Sequence, residues 1–246
     1  MKLTVLGCHS PFPAADGATP GYLLEVDGKR ILIDCGSGTL SKLARYIRPY
    51  EVDVVLLSHL HHDHISDFFV LQYAIMISHI QKNRQHPLPV WTPDQPSHWY
   101  APLSYGSYIE KHIIRQGQVV SLSDRVTVTF YRTQHSIPCY AMKIQDGKHT
   151  LLYGADAGPQ TDWESMGKDP DLLICEASYL HRDLPPEEKG HCSAQMAGQV
   201  AEKIGAKRLL LTHLYPDYAP EDLRSEASGQ FSRETMVAHS GLTIHL

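Results

Sequence analysis

The chain of 246 residues contains no apolar run long enough to cross a bilayer. Its first residues, "MKLTVLG", lack the charged start and long apolar stretch of a secretory leader. A cytoplasmic location without membrane contact is therefore the expectation. There is no C-x-x-C pair either. The five cysteines, Cys8, Cys35, Cys139, Cys175 and Cys192, are scattered and read as free buried thiols in a reducing compartment. Positive charge is short as well: the formal net charge is −5, so the chain as a whole is not coated for a phosphate backbone, although a local basic groove is compatible with it. No low-complexity linker and no obvious internal repeat interrupt the sequence. The length and an apolar fraction of 42% suit one globular domain spanning 1–246.

What the chain has in excess is histidine, 16 in all, and four of them fall within six residues. The stretch is "VDVVLLSHLHHDHISD", in which a continuous apolar strand runs into His59, His61, His62, Asp63 and His64. His59 and His61 are two apart in extended chain and point the same way, so they can face one metal together. Asp63 and His64 follow as the chain turns into a helix and begin a second cluster. His62 points elsewhere.

Around this stretch the pattern alternates strands and helices. "KLTVLG", "GYLLEVDG" and "KRILIDCGSG" read as strands, and "LSKLARYIRPY" carries Leu40, Leu43, Ala44 and Ile47 at helical spacing. "ISDFFVLQYAIMISHI" reads as a helix. Residues 83–118, rich in Pro, Tyr and Trp, read as a surface segment with the strand "LPVWTP" and one short helix. Strands follow at "RVTVTFYRT", "CYAMKIQDG", "HTLLYGAD", "PDLLICEAS" and "KRLLLTH". Between the last two lies a helix with Ser193 as N-cap and Gly205 at its end. Strands with interleaved helices indicate a layered α/β domain.

Three further ligand-type residues stand where apolar strands stop: His135, Asp156 and His213. With the first cluster they make five histidines and two carboxylates, enough for two metal ions sharing a bridging carboxylate. A histidine-rich solvated loop beside unconnected strand-end residues is the plainer alternative.

The order H-x-H-x-D-H, then separate His, Asp and His, resembles the metallo-β-lactamase superfamily, over essentially the whole chain. The resemblance implies a four-layer αββα sandwich. It assigns His59, His61 and His135 to one divalent ion, Asp63, His64 and His213 to the other, and Asp156 as the bridge. Zinc is the expected metal, with manganese or iron also suited to such a site. "DLLICEASYL" resembles the H-E-A-T segment of ribonuclease Z, with Glu176 at the glutamate position. Cys175 and Ser178 depart from that family's usual residues. "GHCSAQMAGQVAEKIGAKRLLLTH" resembles the H-S-T segment of the same group, which makes His191 a catalytic histidine that is not a ligand. The alternatives are a helix-capping role for His191 and an ordinary strand-end carboxylate at Glu176.

The implied reaction is phosphodiester hydrolysis by a hydroxide bridging two metals. Asp63 would ligate and accept a hydrogen bond, His191 would stabilise or protonate the leaving side, and Glu176 would hold His191 cationic. Asp34 would orient a ligand histidine or cap a turn. Ribonuclease Z carries a long tRNA-gripping arm between the residues matching His135 and Asp156. Here that interval suffices only for a hairpin, so a small phosphodiester such as a cyclic nucleotide is expected ahead of tRNA. A lactonase or thioesterase is the rival on the same core. Lactam hydrolases of the best-known type use a cysteine in the second metal site and are secreted, whereas Asp63 is expected in that site here. A homodimer is a family-level expectation. Trp91, His98, Trp99, Tyr100, Tyr105 and Tyr108 either stack on a base or pack a long connection. His9 and Ser10, on the first loop, either approach the metals or simply pack.

Overall fold

In the computed structural model, which describes residues 1–187 and 190–246, the chain divides into two compact units. The first comprises Met1–Ile114 and His239–His245, the second Arg115–Ala238 and Leu246.

The first unit is built on one seven-stranded sheet. β1 (Lys2–Gly7), β2 (Gly21–Val26) and β3 (Lys29–Ile33) form an antiparallel meander. α1 (Thr39–Leu43) leads to β4 (Val54–Leu56), parallel to β3. Next come α2 (His62–Ile65) and α3 (Phe68–Ile80), then β5 (Leu88–Thr92), α4 (Ser97–Tyr100) and β6 (Ile109–Ile113). β5 and β6 continue the parallel half of the sheet. All three residues of β4 are buried, as the unbroken run Val-Val-Leu requires of a strand covered on both faces.

The second unit repeats this plan. β7 (Val119–Ser121), β8 (Thr127–Arg132), β9 (Tyr140–Gln145) and β10 (Thr150–Tyr153) are antiparallel. β11 (Leu172–Glu176), β12 (Arg208–Thr212) and β13 (Glu234–Val237) add on in parallel. α5 (Ala194–Lys203) and α6 (Pro220–Ser228) pack on each other and on this parallel half. In the first unit the last strand, β14 (Thr243–His245), lies antiparallel beside β1 as β7 lies beside β8. The strand orders β14-β1-β2-β3-β4-β5-β6 and β7-β8-β9-β10-β11-β12-β13 are therefore equivalent, a repeat of topology without an obvious repeat of sequence.

Several expectations needed correction. The helix read over Leu40–Ile47 ends at Leu43, where Arg45 and Tyr46 donate to carbonyls three residues back and the chain tightens into turns. Arg48 is extended because it precedes Pro49. The segment 83–118 contains not only a short helix but also β6, whose mixed sequence Ile-Glu-Lys-His-Ile fits a half-exposed edge strand. α6, β13 and β14 lie beyond the last strand that the sequence pattern showed. The interval between His135 and Asp156 holds the β9–β10 hairpin. α5 is capped as expected: Ser193 Oγ accepts from the Met196 N–H, and Gly205 takes φ +71°. The five cysteines are buried thiols, and burial raises the Cys8 pKa to about 12. Among the described residues no helix is long and apolar enough to cross a membrane.

Candidate metal centre

In the first unit the functional side chains stand where β3 and β4 end. Asp34 follows β3 with φ +54°, a left-handed conformation that costs a non-glycine residue about 1–2 kcal/mol. Its carboxylate is fully buried and takes three donors. The Ser58 N–H donates at 2.7 Å, Ser58 Oγ at 2.8 Å and His64 Nδ1 at 2.8 Å. Because the Ser58 proton goes to Asp34, Ser58 Oγ accepts from His59 Nδ1 at 3.0 Å. Both His59 and His64 therefore carry their proton on Nδ1 and present Nε2. His59 Nε2 lies 3.1 Å from His61 Nδ1, so the two rings converge as their spacing predicted. Asp63 Oδ2 is 3.7 Å from His64 Nε2. His62 turns away and meets the Trp99 ring edge-on at 4.2 Å.

Gly36 sets the floor of this half. A Cβ there would lie 1.9 Å from the Asp63 carbonyl oxygen, so the chain after β3 passes Asp63 at a distance only glycine allows. The aromatic segment packs within the unit. Trp91 stacks on His112 at 4.5 Å, Tyr105 lies 5.0 Å from Tyr73, and Tyr108 lies 5.2 Å from His79. The Lys111 ammonium sits 3.7 Å above the Tyr100 ring.

The second unit builds its half in the same way. Asp156 follows β10 and is preceded by Ala155 at φ +52°; His213 follows β12 at φ +57°. Asp156 Oδ1 lies 3.3 Å from His213 Nε2, and Oδ2 lies 3.6 Å from His135 Nε2. One buried carboxylate thus shows a different oxygen to each histidine. His135 Nδ1 donates to the Gly190 carbonyl at 2.9 Å. Burial lowers the His135 pKa against the opposing pull of Asp156, which keeps the ring neutral. Glu176, at the end of β11, is fully buried and accepts from Ser178 Oγ at 2.5 Å and the Ala157 N–H at 2.6 Å. Ser178 Oγ in turn accepts from His213 Nδ1 at 2.8 Å. The chain of donors His213, Ser178, Glu176 matches His59, Ser58, Asp34 in the first unit.

His191 donates Nδ1 to the same Glu176, 3.1 Å from Oε2. Its ring stacks against His213 at 5.3 Å and keeps 26% of its side-chain surface exposed. Burial lowers the pKa of His191, but the charge and hydrogen bond of Glu176, helped by Asp156, outweigh it and raise the value to about 9.

The donor set fits divalent metals. His59, His64, His135 and His213 each have Nδ1 tied to a protein oxygen, which leaves Nε2 as the ligand atom. Each unit brings together two pairs of candidate ligands: His59 with His61 and Asp63 with His64 in the first, His135 with Asp156 and His213 with Asp156 in the second. The sequence pointed to all seven of these residues. It missed Ser58, and it noted Ser178 only as a departure from a family pattern. Their signal is a serine one residue before or two residues after a strand-end ligand or acid, which is too common to stand out.

A sequence description of the β-lactamase superfamily domain matches residues 29–214. The chain belongs to the metallo-β-lactamase superfamily. Within it, the chain is 40% identical over 98% of its length to a probable metallo-hydrolase, YhfI, of Bacillus subtilis, covering 98% of that protein. The crystal structure of YhfI superposes with a TM-score of 0.91, covering 99% of this chain and 98% of the other. A ribonuclease Z of Methanopyrus kandleri is 27% identical, covering all of this chain and 98% of that protein. A diphosphatase of the PhnP family, 20% identical, shares the fold with a TM-score of 0.75, covering all of this chain and 97% of its own. The superfamily's layered α/β sandwich is thus the fold expected from the H-x-H-x-D-H order.

Proposed function

We propose that the protein is a metal-dependent phosphodiesterase acting on a small phosphodiester such as a cyclic nucleotide. His59, His61 and His135 would hold one divalent ion, zinc in the first instance; Asp63, His64 and His213 would hold the second, and Asp156 would serve both. Such a pair of ions lowers the pKa of a water molecule and draws charge from a phosphoryl oxygen.

The observation that carries the reading is the pairing of His191 with Glu176. His191 is partly exposed, stacks on a ligand-type histidine and is hydrogen-bonded to a fully buried carboxylate. Lactone or thioester cleavage builds negative charge on one carbonyl oxygen, which the metals can take up. A phosphodiester is already anionic and carries charge on its phosphoryl oxygens as well as on the departing oxygen, so a cation beside the metals favours it. A charged His191 contributes a donor there and can hand a proton to the leaving oxygen, while Glu176 keeps the ring oriented and charged. Asp63, on the other unit, would accept a hydrogen bond from the attacking water.

The likeness to ribonuclease Z supports phosphoester chemistry and makes tRNA 3′ processing the second reading. The short β9–β10 hairpin and the net charge of −5 favour a small substrate over a folded RNA. The test is hydrolysis of bis(p-nitrophenyl) phosphate and of cyclic nucleotides by zinc- or manganese-loaded protein, with Asp63→Ala as control. Turnover that disappears in the variant is expected. Cleavage of a 3′-extended tRNA precursor without turnover of cyclic nucleotides would move the assignment to tRNA. Activity on lactones or thioesters alone would refute phosphodiester chemistry.

A further inference from the structure

Ser10 lies outside the ligand set and outside the His191–Glu176 pair, yet it is 6% exposed and its hydroxyl donates to Asp63 Oδ2 at 2.9 Å, across 53 residues of chain. We propose that Ser10 is a positioning residue for Asp63, fixing which carboxylate oxygen faces the metal shared with His64. The inference rests on the metal-centre reading above and extends it to a residue of the first loop.

The loop from Cys8 to Pro20 is built to hold this hydroxyl still. The N–H groups of Cys8 and His9 both donate to the Ala18 carbonyl, at 3.0 and 3.1 Å, and Gly17 N–H donates to Ala14 at 2.9 Å. The His9 ring lies on Gly17 so closely that a Cβ there would come within 2.7 Å of His9 Nδ1. The far side of the contact is equally constrained. The Asp63 backbone rests on Gly36, and the next residue's carbonyl accepts from the Cys35 N–H at 2.8 Å. What the backbone leaves open is the carboxylate torsion, which is broad and roughly two-fold in aspartate. A fixed O–H donor selects one setting. The oxygen it selects, Oδ2, is the one 3.7 Å from His64 Nε2.

The repeated topology provides a second, independent reason. β1 and β8 are equivalent strands, and the third residue after each reaches a ligand-type carboxylate. After Arg132 that residue is His135, with Nε2 3.6 Å from Asp156 Oδ2; after Gly7 it is Ser10. The same place in the fold thus carries a ligand in one unit and a hydroxyl donor in the other. A hydroxyl can donate to Asp63 without bringing a charge of its own beside the ligand-type side chains.

The experiment compares wild type, Ser10→Ala and Ser10→Thr as metal-loaded full-length proteins. One readout is metal release against a chelator. The other is kcat and KM on bis(p-nitrophenyl) phosphate. Ser10→Ala should lose one of the two metal equivalents about 10–100-fold more readily while the other is unchanged, and kcat should fall about tenfold with KM little altered. Ser10→Thr, which keeps the hydroxyl, should restore both. If the threonine methyl prevents folding, the melting temperatures of metal-free Ser10→Ala, Asp63→Ala and the double variant replace it. The serine effect should then shrink when Asp63 is absent. Ser10→Ala that holds both equivalents as tightly as wild type overturns the proposal, as does equal loss in the alanine and threonine variants or full additivity in the cycle. Wild-type protein that binds two metals but hydrolyses no phosphodiester refutes only the substrate reading, and the release data still decide the role of Ser10. Wild-type protein that binds no metal removes both.

Discussion

Replacing Glu176 by glutamine keeps the shape of the side chain and removes its charge, so it isolates what that charge does. Burial alone would push the His191 imidazole down, and the neighbouring carboxylates raise it instead, from 6.5 to about 9. That rise corresponds to about 3 kcal/mol of preference for the charged ring in the folded protein. The sign follows from linkage. A folded pKa above the unfolded one stabilises fully below pH 6.5, and the contribution fades as pH rises through about 9. Metal-free wild type should therefore lose about 3 kcal/mol of unfolding free energy over this interval through His191, and Glu176→Gln should lose little of it. The direct assay is the titration of the His191 ring protons by NMR in chelator-treated protein. In wild type the midpoint should lie near 9, and in Glu176→Gln it should fall to the ordinary histidine range or below it.

The same substitution reaches His213. Ser178 gives its proton to Glu176 and accepts from His213 Nδ1. A glutamine N–H facing Ser178 reverses that order, so the serine donates to Nδ1 and the His213 proton moves to Nε2, the ligand atom. Zinc affinity should fall together with the pH response, by about 10–100-fold. A variant in which His191 still titrates near 9, or in which metal affinity is unchanged, would refute the reasoning that Glu176 governs both histidines.

Asp34→Asn removes the acceptor for two of the three donors at that site, Ser58 Oγ and His64 Nδ1. The expected cost is about 3–5 kcal/mol in urea unfolding, with metal affinity about 10–100-fold weaker by chelator competition. Gly36→Ala would set a methyl 1.9 Å from the Asp63 carbonyl, so the backbone must shift. Destabilisation of about 3 kcal/mol or more is expected, and a melting temperature within a degree of wild type would contradict the close approach.

The sequence made the candidate ligand set legible because its members follow apolar strands and four of them are consecutive or nearly so. It also made α5 legible, since a serine cap and a terminal glycine bracket a clear helical period. Of the relays, the resemblance pointed to Asp34 as a partner of a ligand histidine and to Glu176 as the partner of His191, but the linking serines were not legible. Asp34 meets His64 over 30 residues, Ser178 meets His213 over 35, and Ser10 meets Asp63 over 53, so no local spacing announces them. α1 was overread because Leu40, Leu43, Ala44 and Ile47 keep helical spacing through residues that actually turn. β6 was missed because Glu110, Lys111 and His112 dilute its apolar ends at a sheet edge. The aromatic segment shows composition alone at its weakest: its rings are engaged with α3, with one another and with Lys111.

Each unit carries a relay of the same kind at its strand ends. In each unit the parallel half of the sheet ends in a buried acid, a serine and a histidine joined in one chain of donors, Asp34–Ser58–His59 and Glu176–Ser178–His213. In the first unit Asp34 has a second histidine on it, His64, which is of ligand type. In the second unit Glu176 has His191, which keeps its proton and its exposure. The two acids, which stand one strand apart in the repeated order, thus serve different ends. One holds two imidazoles, His64 directly and His59 through Ser58, and the other holds His213 through Ser178 and the cation His191 directly. A buried carboxylate with a single neutral dependant would suffer the desolvation of its charge with little return, whereas the positive His191 offsets it. Neutralising His191, as in His191→Gln, should therefore cost more stability than the loss of one hydrogen bond. The excess should be about 1–3 kcal/mol at pH 7 in the metal-free protein, and it should vanish when Glu176 is also glutamine. Equal effects in the two backgrounds would mean that the two side chains are neighbours without electrostatic coupling.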